Sequence, residues 1–215
     1  MTVALHETLP LPQRLALAYA SPRSRELCTA LFALDARLAA IVRGRREPLA
    51  AQVRLAWWRD RLAEPASAWP VGEPVLGALR NWRDPAPLAG LPGAWEGLLS
   101  DELTGPVISE LVTARARAWV CLARQIGAAR DTDVELAGRW WACADLAANL
   151  SAEPERALVL ASARTLPPPP RLPAALRPLA VLARLGHAAL ARGGAQLLGG
   201  PRSMLLALRT GLTGL

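Results

Sequence analysis

Apolar residues recur along most of the chain at intervals of three and four positions, the spacing that places side chains on one face of an α-helix. The clearest series is Leu27, Leu31, Leu34, Leu38 and Ile41. Alternation of apolar and polar residues, which is typical of a half-buried strand, does not extend over any convincing length. The pattern therefore predicts an all-α protein of about nine or ten helices.

Proline, glycine and capping residues divide this pattern into separate helices. Ser21-Pro22 is typical of a helix start, with serine as the N-cap and proline in the first turn. Asp131 or Thr132 is the expected N-cap of a later helix. We expect helices over about 10–19, 23–42, 48–63, 75–82, 95–102, 105–126, 131–150, 153–163, 174–192 and 201–210.

The domain organisation follows from the distribution of proline. The proline-rich stretch 167–173 predicts a stiff connector, but the chain after it is too short to fold alone. Residues 1–215 are therefore expected to form a single domain. Its first ten residues are expected to be disordered. They include His6 and Glu7 and lack the continuous apolar core of a signal peptide.

The composition narrows the class of protein. Hydrophobic residues make up 52% of the chain, and the net charge is +7 with arginine as the only basic residue type apart from histidine. Such a charge suits a diphosphate, a membrane surface or a nucleic acid, or is simply a solvated basic surface. Arginine is spread along every helix and mixed with acids, so nucleic-acid binding is the least favoured of these.

The cysteines and the hydropathy pattern indicate where in the cell the protein is expected. Cys28, Cys121 and Cys143 lie far apart in apolar surroundings without the spacing of a zinc site, which indicates buried, reduced thiols. No uncharged apolar run is long enough to cross a membrane. A cytoplasmic protein is expected, in contact with a membrane surface at most.

Three stretches resemble the squalene/phytoene synthase family of head-to-head prenyl transferases. The segment from Tyr19 to Asp35 is similar to the start of that family, and Arg54 to Leu62, which reads Arg-Leu-Ala-Trp-Trp-Arg-Asp-Arg-Leu, resembles its Leu-x-x-Trp-Arg-x-x-Leu helix. Ala144 to Glu153 is similar to the family's second acidic helix, and Arg164 to Pro167 resembles the segment that follows it. The resemblance implies an isoprenoid-synthase-like helical bundle around a central cavity.

The chain departs from this family at the acidic motifs. Where the first motif, Asp-Asp-x-x-Asp, is expected, the chain has Ala39, Ala40 and Arg43, and the second motif retains only Asn149 and Glu153. In the family, carboxylates on facing helices hold magnesium ions that bind the substrate diphosphate. Alanine cannot bind a metal, and an arginine beside the site repels one. The resemblance therefore implies no metal and no cofactor unless an altered site persists.

The candidate site residues follow from this comparison. Asp35, Asp145 and Glu153 are the candidates for any surviving catalytic or magnesium-binding carboxylate. Guanidinium groups bind phosphate oxygens in pairs, so the basic residues on or after the second helix are candidates for anion binding, against the alternative of a solvated helix end. The proposed ligand contacts are Tyr19, Ser21, Arg37, Arg43, Arg59 and Asn149, and Arg45 and Arg46, just after the helix, are further basic candidates for anion binding.

Two sets of side chains have a structural interpretation as well as a functional one. Asp35 and Asp145 lie in apolar helical stretches, where pairing with an arginine of a neighbouring helix is favoured over catalysis. The pairs Trp57-Trp58 and Trp140-Trp141 fit either an isoprenoid pocket or core packing, and core packing is favoured.

Two functions of different class remain open. The first is a non-catalytic family member that binds an isoprenoid, another lipid or a protein partner, similar to the complex I assembly factor subgroup, which also lacks the acidic motifs. The second is an active prenyl transferase or prenyl-diphosphate hydrolase that holds magnesium with Asp35, Asp145 or Glu153. They differ in whether two carboxylates on facing helices converge on one ion.

Overall fold

The structure, a computed structural model, describes residues 5–44, 47–100, 102–127, 130–194 and 196–214. Within these ranges all regular secondary structure is helical, as predicted. The α-helices are α1 (Leu11–Leu17), α2 (Pro22–Arg43), α3 (Pro48–Ala63), α4 (Pro74–Leu79), α5 (Leu91–Glu96), α6 (Gly105–Ile126), α7 (Asp131–Asn149), α8 (Glu153–Arg164), α9 (Arg177–Leu190) and α10 (Pro201–Thr213). Short 3-10 segments cover Leu5–Thr8, Ala66–Ala68, Ala86–Gly90, Gly97–Leu99 and Ala174–Leu176.

Local sequence signals explain most of these boundaries. The Ser21 side chain accepts a hydrogen bond from the Ser24 amide and caps α2, as expected. Gly127 ends α6 in the left-handed conformation, which glycine adopts at little cost. The predicted cap of α7 was wrong: Arg130 precedes its first residue, and the Asp131 carboxylate binds Arg124 instead.

Other boundaries moved for physical reasons. The first helix ends at Leu17, two residues before Tyr19. The helix expected over 95–102 begins at Leu91 and tightens into the 3-10 segment Gly97–Leu99. At the N-terminus, Leu5–Thr8 form a 3-10 helix and Leu9 is buried, where the sequence suggested disorder. Residues 1–4 lie outside the described part of the chain.

Three helices form the centre of the fold, with α7 packed between α6 and α9. Two glycines allow this close approach. A Cβ atom at Gly138 would lie 2.8 Å from the Cα atom of Ala116 on α6, and one at Gly186 would lie 2.8 Å from the carbonyl oxygen of Trp140 on α7. Backbone contacts this short leave no room for a larger residue.

The remaining helices surround this centre. Helix α2 packs on α6 and α4, α3 packs on α5, and α1 and α10 both pack on α9. One continuous core runs from Leu9 to Ala207, so the residues after the connector 167–173 belong to the same core as α2 and α6. In the described residues no helix is both long and apolar enough to cross a membrane.

Candidate functional site

A buried arginine joins three helices at the centre of the fold. Arg115, on α6, is only 3% exposed. Its Nε atom donates to Asp35 Oδ1 at 3.1 Å, and its Nη2 atom donates to Asp35 Oδ2 at 2.6 Å and to Asp145 Oδ2 at 2.8 Å. Because Asp35 belongs to α2 and Asp145 to α7, a single guanidinium group on α6 is paired with a carboxylate from each of these two helices.

The surroundings satisfy most of the remaining polar atoms of this cluster. Arg115 Nη1 donates to the carbonyl oxygen of Ala142 at 3.4 Å, and Trp95 Nε1 donates to Asp35 Oδ1 at 3.0 Å. The guanidinium carbon lies 5.3 Å from the ring centroid of Trp95 and 5.2 Å from that of Trp141, within the range of cation–π attraction. A buried charge with this many partners is a rigid structural feature.

The cluster has one more acidic group than basic groups. Burial raises the pKa of Asp145, and the nearby Asp35 adds to this, while Arg115 and Arg43 act in the opposite direction. Burial alone would lower the pKa of Arg115, but Asp35 and Asp145 outweigh it and raise that pKa above its usual value. Arg115 is therefore always charged, and Asp145 holds a proton more readily than an exposed aspartate.

Two adjacent pockets open beside this cluster, between α2 and α7. The first has a volume of about 270 Å³ and the second of about 310 Å³. Both are lined by Ala39, Arg43, Asp145 and Asn149. Beyond these shared residues, the walls of the first pocket combine apolar and polar side chains, namely Val42, Trp95, Leu98, Leu103, Leu146 and Leu150 together with Ser100 and Glu155.

The second pocket contains an unsatisfied buried acceptor. Gln13, on α1, is 4% exposed, and its Oε1 atom has no hydrogen-bond partner in the described residues. It lines the pocket together with Leu11, Leu197 and Leu198. Buried polar atoms without a partner are costly and uncommon. Gln13 is therefore a polar residue in the wall of the second pocket, although its unpaired Oε1 atom is itself shielded from solvent.

The structure brings together four of the residues that the sequence singled out. Asp35 and Asp145 converge, and the prediction that each pairs with an arginine of a neighbouring helix is confirmed. Arg43 and Asn149 line both pockets. The Asn149 side chain also donates to the backbone oxygen of Asp145 at 2.8 Å, and this bond fixes its orientation at the end of α7.

The other predicted ligand contacts lie elsewhere. Arg37 pairs with Glu73, and Arg59 pairs with Asp60 and Glu96, all near the surface. Ser21 is used as the cap of α2.

Tyr19 also has a structural role. Its ring packs so closely against α10 that a Cβ atom at Gly211 would overlap it. Neither pocket includes Glu153, whereas Glu155 lines the first. Arg45 and Arg46 lie outside the described residues.

The tryptophan pairs behave mainly as core residues. Trp58, Trp140 and Trp141 are buried, which supports the packing interpretation, whereas Trp57 is 40% exposed. Trp140 Nε1 donates to the carbonyl oxygen of Pro167 at 2.8 Å, and its ring meets His187 edge-on. This residue therefore anchors the start of the proline-rich connector to α7 and α9.

The residues predicted from the sequence did not include Arg115, Trp95 or Gln13. For Arg115 a signal was present, because it occupies a position of the apolar stripe of α6, between Leu111 and Trp119. A charged residue in such a stripe requires a buried partner. Trp95 and Gln13 carry no comparable signal, since their roles depend on contacts with helices distant in sequence.

The arrangement has consequences for metal binding. In the described residues no group of three or more histidine, cysteine, aspartate or glutamate side chains is placed to hold a metal ion. The two carboxylates that do converge already share a guanidinium group. Magnesium requires near-octahedral oxygen ligands at short distance, and a fixed positive charge at the same point disfavours it.

Comparison with known proteins does not assign the chain to a family: no family model, no curated protein and no solved structure matches it.

Proposed function

We propose that this chain is a non-catalytic protein with an isoprenoid-synthase-like helical bundle, related to the squalene/phytoene synthases, and that it binds an uncharged isoprenoid or similar lipid without a metal. The observation that carries the proposal is the position of Arg115. Its guanidinium group lies between Asp35 and Asp145, on the helices whose carboxylates would otherwise hold magnesium.

The charges around the pockets favour an uncharged ligand over a diphosphate. Asp145 and Glu155 line the first pocket, and the only basic residue among the groups that line either pocket in the described structure is Arg43. Arg43 is exposed and lies close enough to lower the pKa of Asp145. A diphosphate carries several negative charges and would meet these carboxylates without a metal to offset them.

The apolar walls and the polar end of the pockets suit an amphipathic molecule. Each pocket lies near the lower limit of the volume of small-molecule sites, which is about 300–1,000 Å³, and the two together fall within that range. Leucine, valine and tryptophan side chains in the first pocket would contact the hydrocarbon part. The Gln13 side chain in the wall of the second pocket would offer its amide group to a hydroxyl group of the ligand. A prenyl alcohol has both features.

The direct test is calorimetric titration of the purified protein with farnesol and with farnesyl diphosphate, each with and without magnesium. We expect farnesol to bind more tightly than the diphosphate and magnesium to have no effect. A product assay on the same samples should find no turnover. Magnesium-dependent binding of the diphosphate with product formation would overturn the proposal and establish the prenyl transferase instead.

Two variants with matched controls locate the binding. Ala39 is buried and lines both pockets, so Ala39→Leu should reduce the affinity for farnesol, whereas Ala40→Leu, at the exposed neighbouring position, should not. Gln13→Leu should reduce binding of the alcohol but spare its hydrocarbon analogue, and Gln52→Leu on the surface should change neither. Equal affinity in wild type and Ala39→Leu would refute the pocket. Absence of binding by any of these compounds would refute a lipid ligand and favour a protein partner.

A further inference from the structure

Helix α10 carries large apolar side chains on the side that faces away from the protein. Its inner side is formed by the buried small residues Ser203, Ala207 and Thr210 with the partly buried Leu206, and the helix packs on α9. Its outer side carries Met204, Leu205, Leu208 and Leu212, which are between 47% and 69% exposed. With 3.6 residues per turn, these four side chains form one stripe opposite the buried face.

This arrangement is unusual for a helix at the surface of a protein. A surface helix normally turns its large apolar residues inward and its polar residues to solvent. On α10 the fully buried side chains are small, Leu206 alone among its leucines packs against the core, and Met204 and three other leucines are left outside. Such an exposed stripe indicates a surface that something covers.

The charge distribution along the chain indicates what covers it. No acidic residue follows Glu155, whereas residues 156–215 contain eight arginines, so this part of the chain carries a formal charge of +8 and residues 1–155 a charge of −1 (17 arginines and 18 acids). The whole positive excess of the protein therefore lies in the part that includes α10.

Two of these arginines are on α10 itself. Arg202 and Arg209 are exposed and, seven residues apart, lie on the same flank of the apolar stripe. Arginine beside an apolar face can extend its guanidinium group to lipid phosphates while its aliphatic part follows the hydrocarbon.

We infer that α10 lies in the surface of an anionic membrane, with Met204, Leu205, Leu208 and Leu212 among the acyl chains and Arg202 and Arg209 at the headgroups. A helix with an apolar face and flanking cations binds at this boundary without crossing the bilayer. The inference does not depend on the ligand proposed above, although α10 begins three residues after Leu198, which lines the second pocket.

The test is flotation of the full chain with vesicles of phosphatidylcholine alone and of phosphatidylcholine mixed with phosphatidylglycerol. We expect binding to the anionic vesicles and little to the neutral ones. Raising the salt from ~0.05 M to ~0.5 M should weaken it, because the Debye length shortens. The double variant Arg202→Gln/Arg209→Gln should lose affinity by about fivefold for each arginine. Equal binding to both vesicle types would overturn the inference.

A matched pair of double variants distinguishes vesicle binding through α10 from binding through other exposed apolar side chains. Leu205→Gln/Leu212→Gln should weaken binding by about tenfold or more. Leu49→Gln/Val53→Gln, at comparably exposed positions on α3, should leave it unchanged. Equal effects of the two double variants would refute the assignment to α10. A concentration-dependent dimer that Leu205→Gln/Leu212→Gln dissociates, with vesicle binding intact, would instead show a second copy of the chain on this face.

Discussion

Arg115 and Asp35 form a two-point ion pair across the core, with Nε 3.1 Å from Oδ1 and Nη2 2.6 Å from Oδ2, although they are separated by 80 positions in the chain. Asp145 adds a third contact to the same guanidinium group at 2.8 Å. A paired charge in the core adds little net stability over an apolar alternative, but removal of one partner leaves the other charges uncompensated.

The first prediction concerns removal of this arginine. Arg115→Met should lower the free energy of unfolding by about 3–5 kcal/mol, because it leaves two carboxylates without their counterion. Arg139→Met, which removes a partly exposed pair with Glu135 within α7, should cost about 0.5 kcal/mol or less. Urea denaturation measures both. Addition of Asp35→Asn and Asp145→Asn to the Arg115→Met protein should restore part of the loss, and failure to do so would show that packing around Trp95 and Trp141 dominates.

The second prediction concerns pH. Since burial raises the pKa of Asp145 above its usual 3.8, the folded state holds this proton more readily than the unfolded state. The contribution of this group to stability is therefore fully present below pH 3.8 and is lost as the pH rises through the folded pKa. As the pH rises from 3.8 through the folded pKa of Asp145, the Asp145→Asn variant should gain stability relative to wild type. Above the folded pKa, the difference in the free energy of unfolding between the two proteins should stay constant. A difference that is independent of pH would contradict this account.

The third prediction concerns close helix contacts. Gly138→Ala and Gly186→Ala should each destabilise the protein by about 1–3 kcal/mol, because the added methyl group meets a backbone atom at 2.8 Å. Gly77→Ala is the control, since nothing lies within 4 Å of its Cβ position in α4. The higher helix propensity of alanine should make that variant more stable by up to about 1 kcal/mol. Thermal unfolding of the three variants provides the comparison.

The fourth prediction concerns alkaline conditions. Burial raises the pKa of the Cys28 and Cys143 thiols from 9.0 to about 12, and that of Cys121 to about 11. The stability that these protonated thiols provide is fully present below pH 9.0 and is lost as the pH rises toward the folded pKa values. Each can lower the free energy of unfolding by up to about 1.4 kcal/mol per pH unit in this window.

The composition makes this dependence measurable. The chain contains no lysine and a single tyrosine, so few other side chains titrate between pH 9 and 12. Cys28→Ala should reduce the slope of stability against pH. The thiols should also fail to react with an alkylating reagent at neutral pH until denaturant is added, and reaction of the native protein would contradict their burial.

Part of the site could be predicted from the sequence, because that part follows from local rules. A charged residue inside an apolar helical stripe needs a buried partner, and this rule led from Asp35 and Asp145 to their pairing with an arginine. It did not lead to Arg115 itself. Arg115 and Arg117 are two residues apart on α6, and only the first occupies the apolar stripe and is buried.

Most of the helices could be predicted from the sequence, because capping, proline and the period of apolar residues act within a few residues of each other. The predicted ranges 48–63 and 105–126 agree with α3 and α6 at both ends. The pairing of polar groups, in contrast, depends on how the helices pack. The packing of α1, α2 and α7 places Arg43 in a pocket wall and leaves Arg37 paired with Glu73. The same packing leaves Gln13 Oε1 without a partner among the described residues. Those contacts join residues far apart in the chain, and no local pattern encodes them.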